Sequence, residues 1–248
     1  MKLASRVRML LGAAAVCTAV LSAYPASADP IDTSLLLSVS LLNGDHEVSG
    51  GQDNHFSALP LPIAELELRH DRDAIRIEGA IPIEFSSTDS NGGTSSTRLS
   101  LLNATYRRTI GSGWYVGAGE TSYNQTTIYA AQFEQQASRV TGVRYEVGRD
   151  WKTRIGRLEA NFAVNPAMYG PIVTTYTFNP AHPYSFSDPE RATQIDAMVR
   201  ASARISRHAD FVYALRYLNL TSRYADAPGY LADRDVGFTP SVGVRVRL

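Results

Sequence analysis

The sequence predicts an all-β chain folded as a closed antiparallel up-and-down transmembrane β-barrel of ten strands. Three observations predict it. Ten segments alternate apolar and polar residues over 11 to 15 positions, about twice the length of a soluble strand and enough for a tilted strand to cross a bilayer. The connections between them alternate between tight turns and long polar loops, the rim asymmetry of membrane barrels. The chain also opens on an export signal.

That signal occupies residues 1–28. Lys2, Arg6 and Arg8 make a positive start, Met9 to Leu21 is an apolar run too short for a stable spanning helix, and Ala26-Ser27-Ala28 is an A-x-A-like cleavage signal. Its removal leaves residues 29–248 as the barrel, without cysteine, because Cys17 lies in the apolar run; disulfide and thiol chemistry are excluded. No later apolar run approaches the length of a transmembrane helix. Lys152 is the only lysine after the signal, the other cations being arginines, the residue suited to charges fixed by several hydrogen bonds. No basic tract offers a nucleic-acid surface.

In chain order the segments run from Thr33 to Asn43, His55 to Arg69, Ala74 to Phe85, Thr97 to Thr109, Trp114 to Asn124, Ala137 to Gly148, Arg154 to Asn165, Arg191 to Ile205, Phe211 to Arg223 and Val236 to Leu248. Long loops begin at Gly44, Ser86, Gln125, Pro166 and Tyr224, after the odd-numbered segments; tight turns at His70, Ile110, Arg149 and Ser206 follow the even-numbered ones. Both ends of the barrel therefore fall on the tight-turn rim.

The period of two assigns the faces. Apolar positions placed outward are Ala64, Leu66 and Leu68 on the second strand, and Ile75, Ile77, Gly79, Ile81, Ile83 and Phe85 on the third. On the fourth, adjacent Leu101 and Leu102 break the phase, so a β-bulge is expected there, returning Ala104 and Tyr106 to the outside. The sixth presents Val143, Tyr145 and Val147, the seventh Leu158 to Val164, the eighth Ile195 to Ile205, and the tenth Val242, Val244, Val246 and Leu248, each at alternate positions. Trp114 and Phe211 on the turn side, and Phe56, Phe85 and Phe238 on the loop side, suit interfacial girdles.

The opposite face then receives Glu65, Glu67, Arg69, Arg76, Glu78, Glu84, Arg144, Glu146, Arg157, Glu159, Asp196, Arg200, Arg204, Arg216, Arg245 and Arg247, with Arg98, Arg107 and Glu120 as further members. Unpaired charges in a narrow lumen would be costly, so the two signs should interleave. Ten strands lie between the filled barrels of eight and the open porins of sixteen to eighteen. The expectation is a largely plugged lumen, or at most a narrow passage with anion preference.

The last strand ends SVGVRVRL. Ser241, Gly243, Val246 and Leu248 resemble the C-terminal signal by which Gram-negative outer-membrane barrels are recognised by their assembly machinery, with leucine where those proteins carry an aromatic residue. The resemblance implies a bacterial outer-membrane location after export, contact with outer-membrane lipid and lipopolysaccharide, the barrel assembly machinery as a partner, and a monomer.

Candidate chemistry lies on the loop rim. Asp53-Asn54-His55 and Asp233-Arg234-Asp235 resemble the Asp-x-His and Asp-x-Asp pairs of the omptin family of outer-membrane proteases, in different strands and order; the resemblance implies water activated for peptide hydrolysis. His55 and Ser57 are similar to an element of lipid A deacylases, but Glu67, twelve residues along the same strand, lies about 40 Å from His55 at about 3.3 Å per residue, out of triad reach. Asp45, His46 and Glu47, with Asp53 and His55, lie in a glycine-rich loop that makes a poor preformed cage. No catalytic residue, metal or cofactor is therefore assigned, and the fuller expectation is a structural, adhesive or surface-binding barrel working through its loops. The aromatic stretch holding Tyr169, Tyr176, Phe178, Tyr184 and Phe186 is expected to fold over the barrel mouth, with contact to a partner, a lipopolysaccharide sugar or a ligand as its functional alternative.

Overall fold

The computed structural model describes residues 31–248 apart from 49–51, 89–93, 130–132, 155, 179–180 and 226–230; the proposed signal segment lies outside the described residues. The strands are β1 (Asp32–Val48), β2 (Gln52–His70), β3 (Asp73–Ala80), β4 (Ile83–Thr88), β5 (Thr94–Gly111), β6 (Trp114–Tyr129), β7 (Glu134–Lys152), β8 (Gly156–Tyr176), β9 (Tyr184–Arg204), β10 (Ala209–Tyr224) and β11 (Leu231–Arg247). β3 and β4 are two halves of one wall strand, both paired with β5, so the wall has ten strands. Every pairing is antiparallel, and β1 meets β11 from Ser34 opposite Arg247 to Val48 opposite Asp233. With β3 on β5, the ring closes.

Alternation divides the wall as expected in its turn-side half. Leu37, Ile75, Val143, Tyr145, Val147, Phe162, Ile195, Val199, Val242 and Val244 stand exposed on the outer face, while Glu65, Glu67, Arg76, Glu78, Arg144, Glu146, Glu159, Asp196, Arg200 and Arg245 are buried on the inner one. Trp114, Phe211 and Phe238 are also exposed on the outer face.

The phase error lies one strand earlier than the sequence implies. β5 alternates without interruption, with Leu101 inside and Leu102 outside; no bulge forms there. Instead the β3–β4 side spends four residues, from Gly79 to Ile83, where β5 spends three, from Leu102 to Leu99. The extra residue falls at Ile81-Pro82, where Pro82 cannot donate to the ladder. Everything beyond it changes face. Glu84, expected in the lumen, is exposed on the outside opposite Arg98, and its Oε1 accepts from Ser96 Oγ at 2.7 Å. Glu120 too is exposed, in register with outer-face Ala104 and Val143. A real bulge occurs in β8 at Pro166-Ala167, which returns Met168 to the interior.

The strands are also longer than the alternation suggested. β8 and β9, of 21 residues each, absorb most of the expected loop after Pro166. The wall consequently stands well above its apolar outer belt on the loop side.

Candidate functional site

Inside the turn-side half lies a layer of six carboxylates and six guanidinium groups. Glu159 is its hub: Arg76 Nη1 donates at 2.8 Å, Arg107 Nη1 at 3.0 Å, Arg200 Nη1 reaches the other oxygen at 3.4 Å, and the Tyr115 hydroxyl donates at 2.9 Å. Each arginine then takes a second acid. Arg76 grips Glu67 through Nε and Nη2 at 3.0 and 2.7 Å, Arg200 forks onto Glu65 at 3.0 and 2.6 Å, and Arg107 forks onto Glu146. Across the lumen, Arg216 bridges Asp196 and Glu78, Arg144 reaches Asp196 at 2.7 Å, and Arg245 reaches Glu65 at 3.1 Å. Planar five-donor guanidinium groups suit such sharing, which a single ammonium could not reproduce.

The sequence reading found these charges and missed their neutral partners. Tyr115, Asn161, Asn103 and Thr121 complete the layer, with Asn161 donating to the Tyr115 hydroxyl at 3.0 Å and Thr121 donating to Asn103 Oδ1 at 2.7 Å. Tyr115 was recoverable, since an outward Trp114 forces its neighbour inward. Space for it comes from Gly148: a Cβ there would lie 2.3 Å from the phenol ring.

Above the charges lies an apolar ring of Leu61, Ala80, Leu101, Tyr123, Val140, Met168, Ala192 and Leu220, with Ile63 and Leu99 packed against it. The voids beside the ionic layer hold only about 20 Å³ each, about one water.

The two ends differ. At the turn side the lumen opens into a vestibule of about 830 Å³, where Arg157 pairs with Asp150, and Arg204 and Arg247 line the wall. At the loop side, β7, β8 and β9 rise above the ring and carry five aromatic rings in continuous contact. Tyr176 stacks on Phe178 at 5.5 Å, Phe178 meets Phe133 at 5.9 Å, and Phe186 lies 6.1 Å from both Tyr176 and Tyr184. Tyr176 and Tyr184 face each other in register, as do Thr174 and Phe186. Because Thr174 is buried inside the barrel, Tyr176, Tyr184 and Phe186 take inner-side positions of the wall, and Phe133 and Phe178, just beyond the strand ends, extend the cluster. Phe133 holds its turn at φ +51°, a conformation bulky side chains rarely adopt. Buried Glu190, bonded by Ser138, lies on the same inner side, as do Asp188 and Glu134.

The rim residues are brought to one edge but not into one phase. Asp53 is in register with Glu47 and His55 with Asp45, the odd positions of β1, whereas Asp233 and Asp235 are in register with Val48 and His46, the even ones. In the terminal strand, Ser241 and Gly243 lie on the inner face and Val246 and Leu248 on the outer.

This architecture is a closed antiparallel β-barrel with an apolar outer belt and a charged interior, a fold shared with a solved outer-membrane protein. The chain is similar to the outer-membrane protease OmpT of Escherichia coli, with a TM-score of 0.55 and 11% identity over 90% of this chain and 98% of that one. Lesser similarity is found to the translocator domain of the autotransporter NalP from Neisseria meningitidis, at a TM-score of 0.44 and 13% identity over 98% of each chain. The beta domain of the Bordetella autotransporter BrkA gives a TM-score of 0.44 and 13% identity over 89% of this chain and 100% of that one. No protein-family model matches the chain, and no curated protein matches it.

Proposed function

We propose that the chain is a monomeric bacterial outer-membrane barrel, closed to solute flow, whose work is surface binding at its loop-side mouth. The carrying observation is the five-ring aromatic wall above the lumen. Such an exposed apolar surface is costly to keep in water unless it is used, and the strained Phe133 supports the same end of the molecule. Glu134, Asp188 and Glu190 share that wall, with no cation on its inner positions among the described residues. A cationic segment is therefore the favoured occupant, held by carboxylates and by cation–π contact. The charge layer and the apolar ring support closure, since together they fill the cross-section with paired ions and close-packed side chains.

The test uses the purified barrel and a fluorescent penta-arginine peptide. Binding is expected for wild type and should weaken at least tenfold in Tyr184→Ala/Phe186→Ala, with heat-modifiable gel migration unchanged. Equal binding by that variant, or none by wild type, overturns the proposal. Peptide cleavage that depends on Asp53 and His55 would replace it with the omptin-like reading, and single-channel steps in a planar bilayer would replace it with the pore.

A further inference from the structure

The ionic layer is balanced, but the vestibule beneath it is not. Its lining side chains include seven cations, Arg69, Lys152, Arg154, Arg157, Arg204, Arg245 and Arg247, against three acids, Asp32, Glu67 and Asp210. Four of the seven have acids of their own: Arg69 and Arg157 share Glu67 and Asp150, Arg247 takes Asp210, and Arg245 takes Glu65. Lys152, Arg154 and Arg204 have no acidic partner among the described residues. Arg245, buried at the roof of the vestibule, also leaves its Nε without a hydrogen-bond partner.

We infer that this vestibule is a binding site for a soluble multivalent oxyanion, one carrying two or more phosphate or carboxylate groups. Three features select that class. The volume of about 830 Å³ falls among small-molecule sites and exceeds the needs of a single inorganic ion. The unpaired cations come from the β7 end, the β7–β8 turn and the β9 end, so a ligand must span them to satisfy all three. Lys152, Arg157, Arg204, Arg245 and Arg247 occupy inner-face positions of the wall, where the headgroup of a bilayer lipid cannot follow. Lys152, Arg154 and Arg204 stand exposed around the opening of this concavity, where like charges repel one another and an anion converts that repulsion into attraction. Ser34, Thr153 and Ser202 add neutral donors to the lining.

The experiment is calorimetric titration of the full purified barrel at low ionic strength with sodium tripolyphosphate, and separately with citrate. Saturable binding of either ligand is expected, weakened at least tenfold in Lys152→Ala/Arg154→Ala/Arg204→Ala. Those three side chains lie outside the ionic layer, and heat-modifiable migration verifies that the variant is folded. The mouth variant Tyr184→Ala/Phe186→Ala should bind both anions as wild type does. Absence of binding by wild type at millimolar ligand, undiminished binding by the triple variant, or loss of binding in the mouth variant would each overturn the assignment.

Discussion

Glu159→Gln tests whether the ionic layer behaves as a buried network. The substitution keeps the side chain's shape and removes one negative charge, leaving six guanidinium groups facing five carboxylates. Glu159 receives Arg76, Arg107 and Tyr115 on Oε1 and Arg200 with a second Arg76 nitrogen on Oε2; the glutamine oxygen can still serve the first set, but its amide nitrogen, a donor, cannot accept from the second. Removing one partner of a buried ion pair costs about 3–5 kcal/mol. Here Arg76 keeps Glu67, Arg107 keeps Glu146 and Arg200 keeps Glu65, so the lower end applies. About 3 kcal/mol is a loss of roughly a hundredfold in the folding equilibrium. The assay is equilibrium urea unfolding of barrel refolded into lipid vesicles, followed by tryptophan fluorescence, with Glu84→Gln as the matched control. Glu84 has the same alternating sequence context but lies outside the ring, so its substitution should stay within about 0.5 kcal/mol of wild type. If both variants unfold alike, the charges are solvated as in open water and the network argument fails.

Other perturbations check other parts of the wall. Val199→Arg, in the middle of the outer belt, should destabilise the barrel in vesicles by about 2–4 kcal/mol in urea unfolding; no loss would mean that this face does not meet lipid. Gly148→Val should abolish heat-modifiable refolding because its Cβ would fall 2.3 Å from the Tyr115 ring and 2.6 Å from the backbone oxygen of Ala160; normal refolding would mean that the wall is looser at this position than the packing implies. Planar-bilayer recording should give no single-channel steps for wild type, nor for Arg76→Ala/Glu159→Ala, because the apolar ring above the layer still fills the cross-section; steps from wild type would refute closure.

Strand count, closure and the inner charges were legible because the turn-side half obeys one rule: charged side chains meet one another and apolar ones face outward. Arg200, Glu65 and Asp196 could be placed from alternation alone. Glu84 could not. Ile81-Pro82 inserts one residue into an otherwise perfect period of two, and a single insertion moves every later side chain to the other face. Adjacent Leu101 and Leu102 made β5 look like the irregular strand, because the pattern assumed that leucine must face out. The pairing of particular acids with particular arginines was not legible either, since Glu159 meets Arg76 across the lumen, 83 positions away in sequence.

The leucines of β5 point to a change of rule with height. Outward positions pass from apolar to polar between Leu102 and Ser100 on β5, Ala118 and Ser122 on β6, Val143 and Thr141 on β7, Ile195 and Thr193 on β9, and Tyr217 and Asn219 on β10. At that same level the inner face changes from charged to apolar, with Leu101, Tyr123, Val140, Ala192 and Leu220. Below the level, lipid solvates the exterior and the interior can hold ions. Above it, water surrounds the wall, so the ring needs the dry core of a soluble barrel. Met168, fully buried in that core at 0% exposure, separates the two regimes. Met168→Ala should cost about 2–5 kcal/mol through the cavity it leaves, and the cost should be the same in vesicles and in detergent, whereas that of Val199→Arg should fall when the bilayer is replaced by a thinner micelle. A Met168→Ala penalty that also tracks the lipid phase would mean that the apolar ring lies within the membrane and that the wall has no separate soluble core.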